Sequence, residues 1–111
     1  MRMQRSGEFG RTRERGQRLV RGGLILNWRP REEAAHSRLG VVTSRKVGGA
    51  VIRSRARRMV REAFRRLQPG IQPPCDVVVV VRPSLKRLGG GEVQRQLVKA
   101  LSAAHILVGG S

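Results

Sequence analysis

Five consecutive valines, residues 77–81, lie between Asp76 and Arg82. β-Branched side chains favour strands, and an apolar run without polar alternation is typical of a strand that is covered on both faces. Such a strand lies in the middle of a sheet, and its usual neighbours are parallel. The run therefore predicts a central strand in an α/β protein, and it ends at Arg82-Pro83.

Shorter patterns predict the elements around this strand. Ser6, as a possible N-cap, and Gly16, as a stop, bound a short helix over residues 6–15. Three extended segments follow at 18–20, 24–28 and 39–44, then a helix at 50–67, a flexible Gly loop at 89–91 and a closing helix at 92–108. The predicted order is αβββαβα, an α/β (α+β sandwich) fold with a central mixed sheet. A length of 111 residues is that of a single domain, 1–111, and we expect residues 1–5 to be flexible.

The segment 50–67 predicts an amphipathic helix with a cationic polar face. At about 100° per residue, its apolar side chains fall within an arc of about 140°. These are Ile52, Ala56, Met59, Val60, Ala63, Phe64 and Leu67. The opposite face carries Ser54, Arg57, Arg58, Arg61 and Arg65, while Arg55 and Arg66 lie along one edge of the apolar stripe and Arg53 along the other.

The net charge narrows the class of partner. The chain has 24 Lys and Arg against 7 Asp and Glu, a formal charge of +17, and 21 of the cations are Arg. Charge of one sign at this density favours a polyanion, nucleic acid first and an anionic membrane surface second. Arg is suited to phosphates and bases, although genomic base composition equally explains the preference for Arg over Lys. Ten cations and only one acid, Glu62, lie between residues 38 and 66, which indicates a binding surface.

Catalytic and metal chemistry find little support in the sequence. The seven acids are scattered, no Ser has a nucleophile-elbow pattern, and the single Cys75 precedes a buried strand, which favours a core role. His36 and His105 have no metal-ligand spacing. No signal core and no membrane span are visible, so we expect a cytoplasmic protein. If the chain serves an enzyme, another molecule supplies the reacting groups.

The run 44–65, SRKVGGAVIRSRARRMVREAFR, resembles the signature of the bacterial ribonuclease P protein subunit. That signature is usually S-K-K-x-G-x-A-V-x-R-N-R-x-K-R followed by an Arg-rich helix. Further segments match the family in the same order. They are the S-x-E-F piece, the L-x-L strand before RP, RLGVVTS, DVVVVVRP and the closing helix. The resemblance implies an αβββαβα fold with a left-handed crossover through the Arg-rich helix, against the right-handed default.

The same resemblance implies a function in tRNA maturation. In the family, a catalytic RNA with bound Mg²⁺ removes the 5′ leader of precursor tRNA, and the protein docks on that RNA and holds the leader. We therefore expect a 1:1 complex with ribonuclease P RNA, precursor tRNA as a second partner, and neither a membrane nor an obligate protein partner. Mg²⁺ is expected mainly on the RNA and the substrate, with no catalytic or metal-binding residue in this chain.

The resemblance also assigns residues to each RNA. The positions that correspond to the RNA-subunit-binding motif are Arg45, Lys46, Arg53, Ser54, Arg55, Arg57, Arg58, Arg61 and Arg65. Ser54 departs from the usual Asn, which predicts docking with less fixed geometry. The leader cleft, where the family often has three aromatic side chains, corresponds to Phe9, Arg13 and Asn27. With two aromatics absent, we expect a more electrostatic and more salt-sensitive grip on the leader, and a core role for the adjacent Trp28.

Two other interpretations stay open on the residues alone. The first is a structural RNA-binding protein, such as a ribosomal protein of related α/β architecture, which composition does not separate from a ribonuclease P subunit. The motif at 44–65 favours the ribonuclease P subunit over it. A basic amphipathic helix on a membrane surface is a weaker alternative, because the apolar face of the helix at 50–67 is needed for the core.

Overall fold

The computed structural model of the chain describes residues 16–31 and 36–108. The strands are β1 (Gln17–Arg21), β2 (Leu24–Pro30), β3 (Arg38–Val42) and β4 (Cys75–Val81), and the α-helices are α1 (Ala50–Leu67) and α2 (Gly90–Ala103). Two short 3₁₀ helices, Gln68–Gly70 and Pro83–Arg87, flank β4. The predicted helix at 6–15 and the expected flexible residues 1–5 lie outside the described residues.

The four strands form one mixed sheet in the order β1-β2-β4-β3. β1 pairs with β2, and β2 with β4, in antiparallel fashion, whereas β3 and β4 are parallel. The mixed sheet is thus confirmed, but the expectation of parallel partners on both sides of the valine strand is wrong. A helix joins β3 to β4, as parallel neighbours require, whereas β2 reaches β4 as part of a hairpin with β1. The connection through α1 is consistent with the left-handed crossover that the resemblance implied.

Both helices pack on one face of the sheet and enclose the core with it. α1 lies on β3, α2 lies on β1 and β2, and the helices contact each other. Strand alternation directs every second side chain to this face. The sheet contributes Leu24, Leu26, Trp28, Leu39, Val77, Val79 and Val81, and the helices contribute Val60, Phe64, Val93, Leu97 and Leu101, all buried. The core role predicted for Trp28 is confirmed, as is the burial of Cys75.

Helix α1 has the predicted bounds, and its apolar stripe faces the core. Ala56, Met59, Val60, Ala63 and Phe64 are buried, as the periodicity predicts. Ile52 departs from the prediction and is 40% exposed. It lies in the first turn of the helix, where its side chain packs against Gly48. The helix stops at Leu67 because Pro69 follows in a 3₁₀ turn.

Helix α2 begins earlier and ends earlier than predicted. Gly90 and Gly91 belong to its first turn rather than to a loop, and the helix ends at Ala103. The chain turns at His105, whose φ is 61°, so the prediction that His105 and Val108 lie in the helix is wrong. The last described segment returns beside residue 71, where Leu107 pairs with Ile71, and it leaves Val108 64% exposed.

Candidate nucleic-acid interface

The outer side of α1 is a cationic surface, which we call the arginine face and define as Ser54, Arg57, Arg58, Arg61 and Arg65. The first turn of α1 contains no acidic residue, and Glu62 is the only acid in the helix. A solvated helix usually mixes charges and gains i,i+4 ion pairs. Here Arg58, Arg61 and Arg65 recur at helical spacing on one side, so their mutual repulsion favours an anionic partner.

Carboxylates do not neutralise the centre of the arginine face in the described part of the chain. Arg58 and Arg65 are exposed, and neither has a hydrogen bond or an ion pair to any described residue. Ion pairs among the described residues join Arg31 and Arg38 to Asp76, and Arg95 to Glu92. Within the described part of the chain, the guanidinium donors of Arg58 and Arg65 are therefore left for an anionic partner.

Arg57 is fixed at the border between α1 and the sheet. Its Nη1 donates to Thr43 Oγ1 at 2.8 Å, and its Nη2 donates to Ser54 Oγ at 3.2 Å. Because the Ser54 oxygen accepts from Arg57, its own O–H remains available as a donor. Ser54, which replaces the family's usual Asn, thus forms one donor group with Arg57. Thr43 was not among the predicted site residues, because its role depends on the packing of α1 against β3.

Arg55 and Arg66 connect α1 to neighbouring segments by hydrogen bonds. Both lie along the edge of the apolar stripe where the helical periodicity places them. Arg55 donates from Nη1 to the Lys86 carbonyl at 3.4 Å and from Nη2 to the Leu88 carbonyl at 3.2 Å. Arg66 Nη1 donates to Gln94 Oε1 at 2.9 Å on α2. Both guanidinium groups stay in contact with solvent, so these bonds fix their position without removing their charge.

A tight turn carries two further predicted cations to the start of α1. Arg45 and Lys46 are exposed, while the adjacent Val47 is fully buried and anchors the turn. The Gly49 N-cap provides no side-chain bond to the free N–H groups of the first turn, so the positive end of the helix dipole lies close to these cations. Arg53 completes this corner, and its buried Nε has no hydrogen-bond partner among the described residues.

The sheet face that points away from α1 and α2 carries a different surface, which we call the second sheet face. The pairing aligns Asn27 with Arg18 on β1 and with Val78 on β4. Asn27 is only 3% exposed, and its Nδ2 donates to the Val78 carbonyl at 3.4 Å. Phe9 and Arg13, the other predicted leader residues, lie outside the described residues, so Asn27 alone is located here.

Charged side chains form the next row of the second sheet face, and the sequence analysis missed them. Asp76 on β4 has Arg29 on β2 and Arg38 on β3 as its direct neighbours in register. Arg38 holds the carboxylate with two bonds, Nε to Oδ1 at 2.8 Å and Nη2 to Oδ2 at 2.9 Å. Arg31 Nε lies 3.2 Å from Oδ1. Alternation along β2 predicts that Arg29 lies on the same sheet face as Asn27. The contact between Arg38 and Asp76 depends on the pairing register of β3 and β4, which the sequence does not show.

The described residues contain neither a group of three potential metal ligands nor a helix long and apolar enough to cross a membrane. The only Cys is buried, and burial, with a smaller effect from the Asp76 carboxylate, raises the pKa of the Cys75 thiol to about 11. A protonated buried thiol is a poor nucleophile.

The fold and its surfaces define a class of protein: small, strongly basic and α+β, with an arginine-rich helix crossing between two parallel strands. The family profile described as Ribonuclease P matches residues 1–105. The ribonuclease P protein component of Oceanobacillus iheyensis is 31% identical over 106 residues, which cover 96% of this chain and 88% of that protein. The corresponding protein of Roseiflexus sp. (strain RS-1) is 40% identical over 101 residues, covering 90% and 82%.

Solved structures agree with the sequence matches. The Staphylococcus aureus RNase P protein superposes with a TM-score of 0.87 at 26% identity and covers 96% of each chain. The Thermotoga maritima RNase P protein superposes with a TM-score of 0.82 at 30% identity, covering 93% of this chain and 96% of that one. The chain belongs to the ribonuclease P protein family.

Proposed function

We propose that this chain binds the catalytic RNA of ribonuclease P through the arginine face and the 5′ leader of precursor tRNA through the second sheet face. The observation that carries the proposal is the arginine face itself, where Arg58 and Arg65 are exposed and unpaired within the described part of the chain. Such a surface is complementary to a folded polynucleotide. The complex removes the leader and yields the mature 5′ end of the tRNA.

The RNA subunit binds along α1 and the turn before it. The proposed contacts are Arg45, Lys46, Arg53, Ser54, Arg55, Arg57, Arg58, Arg61 and Arg65. Together they neutralise about six to eight phosphates, so the affinity falls steeply as salt is added. Contacts to phosphates fix the register of the protein on its RNA, and they do not require a particular base sequence. We expect one protein per RNA, without another protein partner, in the cytoplasm.

The leader binds on the second sheet face, to Phe9, Arg13 and Asn27. Each base that stacks on an aromatic side chain contributes about 1 to 3 kcal/mol. Because Arg13 and Asn27 replace two such aromatics, phosphate contacts contribute more of the affinity for the leader here. The leader-dependent part of the affinity should then fall with salt more steeply than in relatives with three aromatics. The affinities of substrates with and without a leader are measured over a series of salt concentrations. If the difference between them changes little with salt, the proposed electrostatic grip on the leader is contradicted.

Mg²⁺ belongs to the RNA side of the complex in this proposal. The described residues offer no group of three ligands, and Arg31 and Arg38 already engage the Asp76 carboxylate, so a Mg²⁺ ion held by these side chains does not fit. In the proposal, groups of the RNA and the substrate hold the ion, and no side chain of this chain takes part in the bond-breaking step. The protein contributes position and positive charge.

Reconstitution tests the proposal. The full chain is added to a bacterial ribonuclease P RNA at a Mg²⁺ concentration where the RNA alone is nearly inactive, and cleavage of precursor tRNA is followed. We expect cleavage at the mature 5′ end that depends on the protein. Binding without activation would instead support a structural RNA-binding protein and would contradict the proposed function.

A further inference from the structure

We infer that Arg29 and Arg31 form a phosphate-binding subsite for the leader at the end of β2, and that Asp76 is its positioning residue. The inference rests on the proposed function, and it adds to the second sheet face a site outside the motif at 44–65 and outside the three leader positions. The ligand is the sugar-phosphate backbone of a single strand. The site recognises charge and shape rather than base sequence.

The sheet register brings these groups together. Arg29 and Asp76 are direct partners between β2 and β4, and both side chains lie on the second sheet face because Trp28 and Val77 face the core. Arg31 follows β2, and its backbone N–H donates to the Pro74 carbonyl at 2.8 Å, which holds the chain end beside β4. The strands β2 and β4 therefore carry Arg29 and Asp76, and the bond to Pro74 fixes the backbone of Arg31 beside them.

Among the described residues, the cluster has more cationic than acidic side chains. Arg31 and Arg38 contact the Asp76 carboxylate, and Arg29 is the neighbour of Asp76 in the strand register, so three guanidinium groups lie beside one described carboxylate. Arg38 supplies the two-bond contact to Asp76, and Arg31 contributes a contact from Nε and a bond from Nη1 to the His36 carbonyl. Arg29 has no hydrogen bond or ion pair among the described residues. Arg29 and the outer edge of Arg31 thus have donors left for an anion.

A groove of about 580 Å³ gives an anion access to these donors. Arg29, Pro30, Arg31 and Asp76 line it. Asn27, a proposed leader contact, lies two residues before Arg29 on the same strand and the same face, about 7 Å away. Asn27 itself is only 3% exposed, so the groove is the accessible part of the second sheet face next to the proposed leader position. A strand that lies over this part of the face would bring a phosphate to Arg29 and Arg31.

The leader fits this groove better than the RNA subunit does. Arg38 begins β3, whereas Arg45 and Lys46 follow its end, and the five residues of β3 separate the two clusters by about 13 Å. In addition, α1 packs on the opposite face of the sheet. An RNA that covers the arginine face is thus directed away from Arg29 and Arg31, and a second strand of nucleic acid can occupy the groove.

Two double variants in the reconstituted complex test the subsite. Arg29→Ala/Arg31→Ala removes two charges from the groove, and Arg95→Ala/Lys99→Ala removes two from the outer side of α2 as a matched control. Affinities are compared for precursor tRNA with a long leader and with a single-nucleotide leader. We expect the groove variant to lose about five- to twentyfold in affinity for the long leader, less than about twofold for the short one, and the control to change both by less than about twofold.

The outcomes separate the subsite from the proposed function. If the unaltered protein fails to activate the RNA, the proposed function is wrong and the subsite falls with it. If activation is intact but the groove variant keeps the affinity of the unaltered protein for the long leader, only the subsite is wrong. An equal loss for both leaders, or an equal loss in the control, also overturns the subsite, because bulk charge then accounts for the effect.

Asp76→Asn separates positioning from charge. The substitution makes the protein more positive, so charge alone predicts tighter binding of the long leader. Positioning predicts the opposite, a loss of about threefold or more, because Arg31 and Arg38 lose their common carboxylate. Tighter binding overturns the role of Asp76. Circular dichroism and thermal unfolding check the fold, and the Arg29→Ala/Arg31→Ala variant, which retains the Arg38 contact to Asp76, tests the subsite whether or not Asp76→Asn folds.

Discussion

Arg57 on α1 donates a 2.8 Å hydrogen bond to the hydroxyl of Thr43, just beyond the end of β3. This bond joins the cationic helix to the sheet at the point where the chain enters the turn that carries Arg45 and Lys46. A guanidinium that is held in place loses less rotamer freedom when it binds a phosphate. The contact therefore prepares the arginine face for its ligand.

Thr43→Val is expected to weaken binding of the RNA subunit by about two- to fivefold, the effect of one lost hydrogen bond. Val retains the β-branched shape of Thr but cannot accept from Arg57. Thr43→Ser retains the acceptor and should bind like the unaltered protein. Equilibrium binding at constant salt measures both, and equal affinities of the Val and Ser variants would contradict a role for the bond.

Arg58→Ala/Arg65→Ala should reduce the salt dependence of RNA binding. Each lost phosphate contact lowers the slope of log K against log salt by about 0.7 to 0.9, so the double variant is expected to lose about 1.5. The Arg95→Ala/Lys99→Ala variant has the same net charge and should retain the original slope. If both variants change the slope equally, the effect belongs to total charge rather than to the arginine face.

Gly22→Ala and Gly91→Ala should change stability in opposite directions. Gly22 has a φ of 55°, and an added Cβ would lie 2.5 Å from Gln96 Oε1, the atom that accepts a bond from the Gly23 N–H. We expect a loss of about 1 to 3 kcal/mol in the free energy of unfolding. Gly91 lies in α2 with only the Arg95 side chain near its Cβ position, so Ala should add about 0.5 to 1 kcal/mol. Urea denaturation of both variants measures these two changes in the free energy of unfolding.

The thiol of Cys75 should make stability depend on pH in alkaline solution. Burial raises its pKa in the folded state from 9.0 to about 11. The unfolded thiol loses its proton first, so the stability that the neutral thiol contributes is present below pH 9 and is lost between pH 9 and about 11. Over that range, the free energy of unfolding of the unaltered protein should fall relative to that of Cys75→Ala. A difference that does not change with pH would contradict the shift.

Local sequence patterns predicted most of the fold, because most of them are compatible with only one type of secondary structure. The period of the apolar residues set the bounds of α1, and the Pro residues after Leu67 fixed its end. The valine run located the buried strand, but its side chains carry no signal for strand direction, so the antiparallel partner β2 was missed. The end of α2 was also missed, because the turn at His105 depends on pairing between Leu107 and Ile71.

The candidate site was predicted in part for a similar reason. Arginines on one side of a helix are visible as a periodic pattern, so the arginine face follows from the sequence and the family resemblance. The Thr43 contact to Arg57 joins two elements, and the cluster around Asp76 joins three segments of the chain. Such contacts depend on sheet register and helix packing, which local periodicity does not specify.

The central claim is that the arginine face binds the RNA that performs the cleavage. The most direct measurement combines binding and activity for Arg57→Ala/Arg58→Ala/Arg61→Ala, with circular dichroism to establish that the variant is folded. We predict a folded protein that neither binds ribonuclease P RNA nor supports cleavage of precursor tRNA at low Mg²⁺. A folded triple variant that reconstitutes normal cleavage would contradict the account.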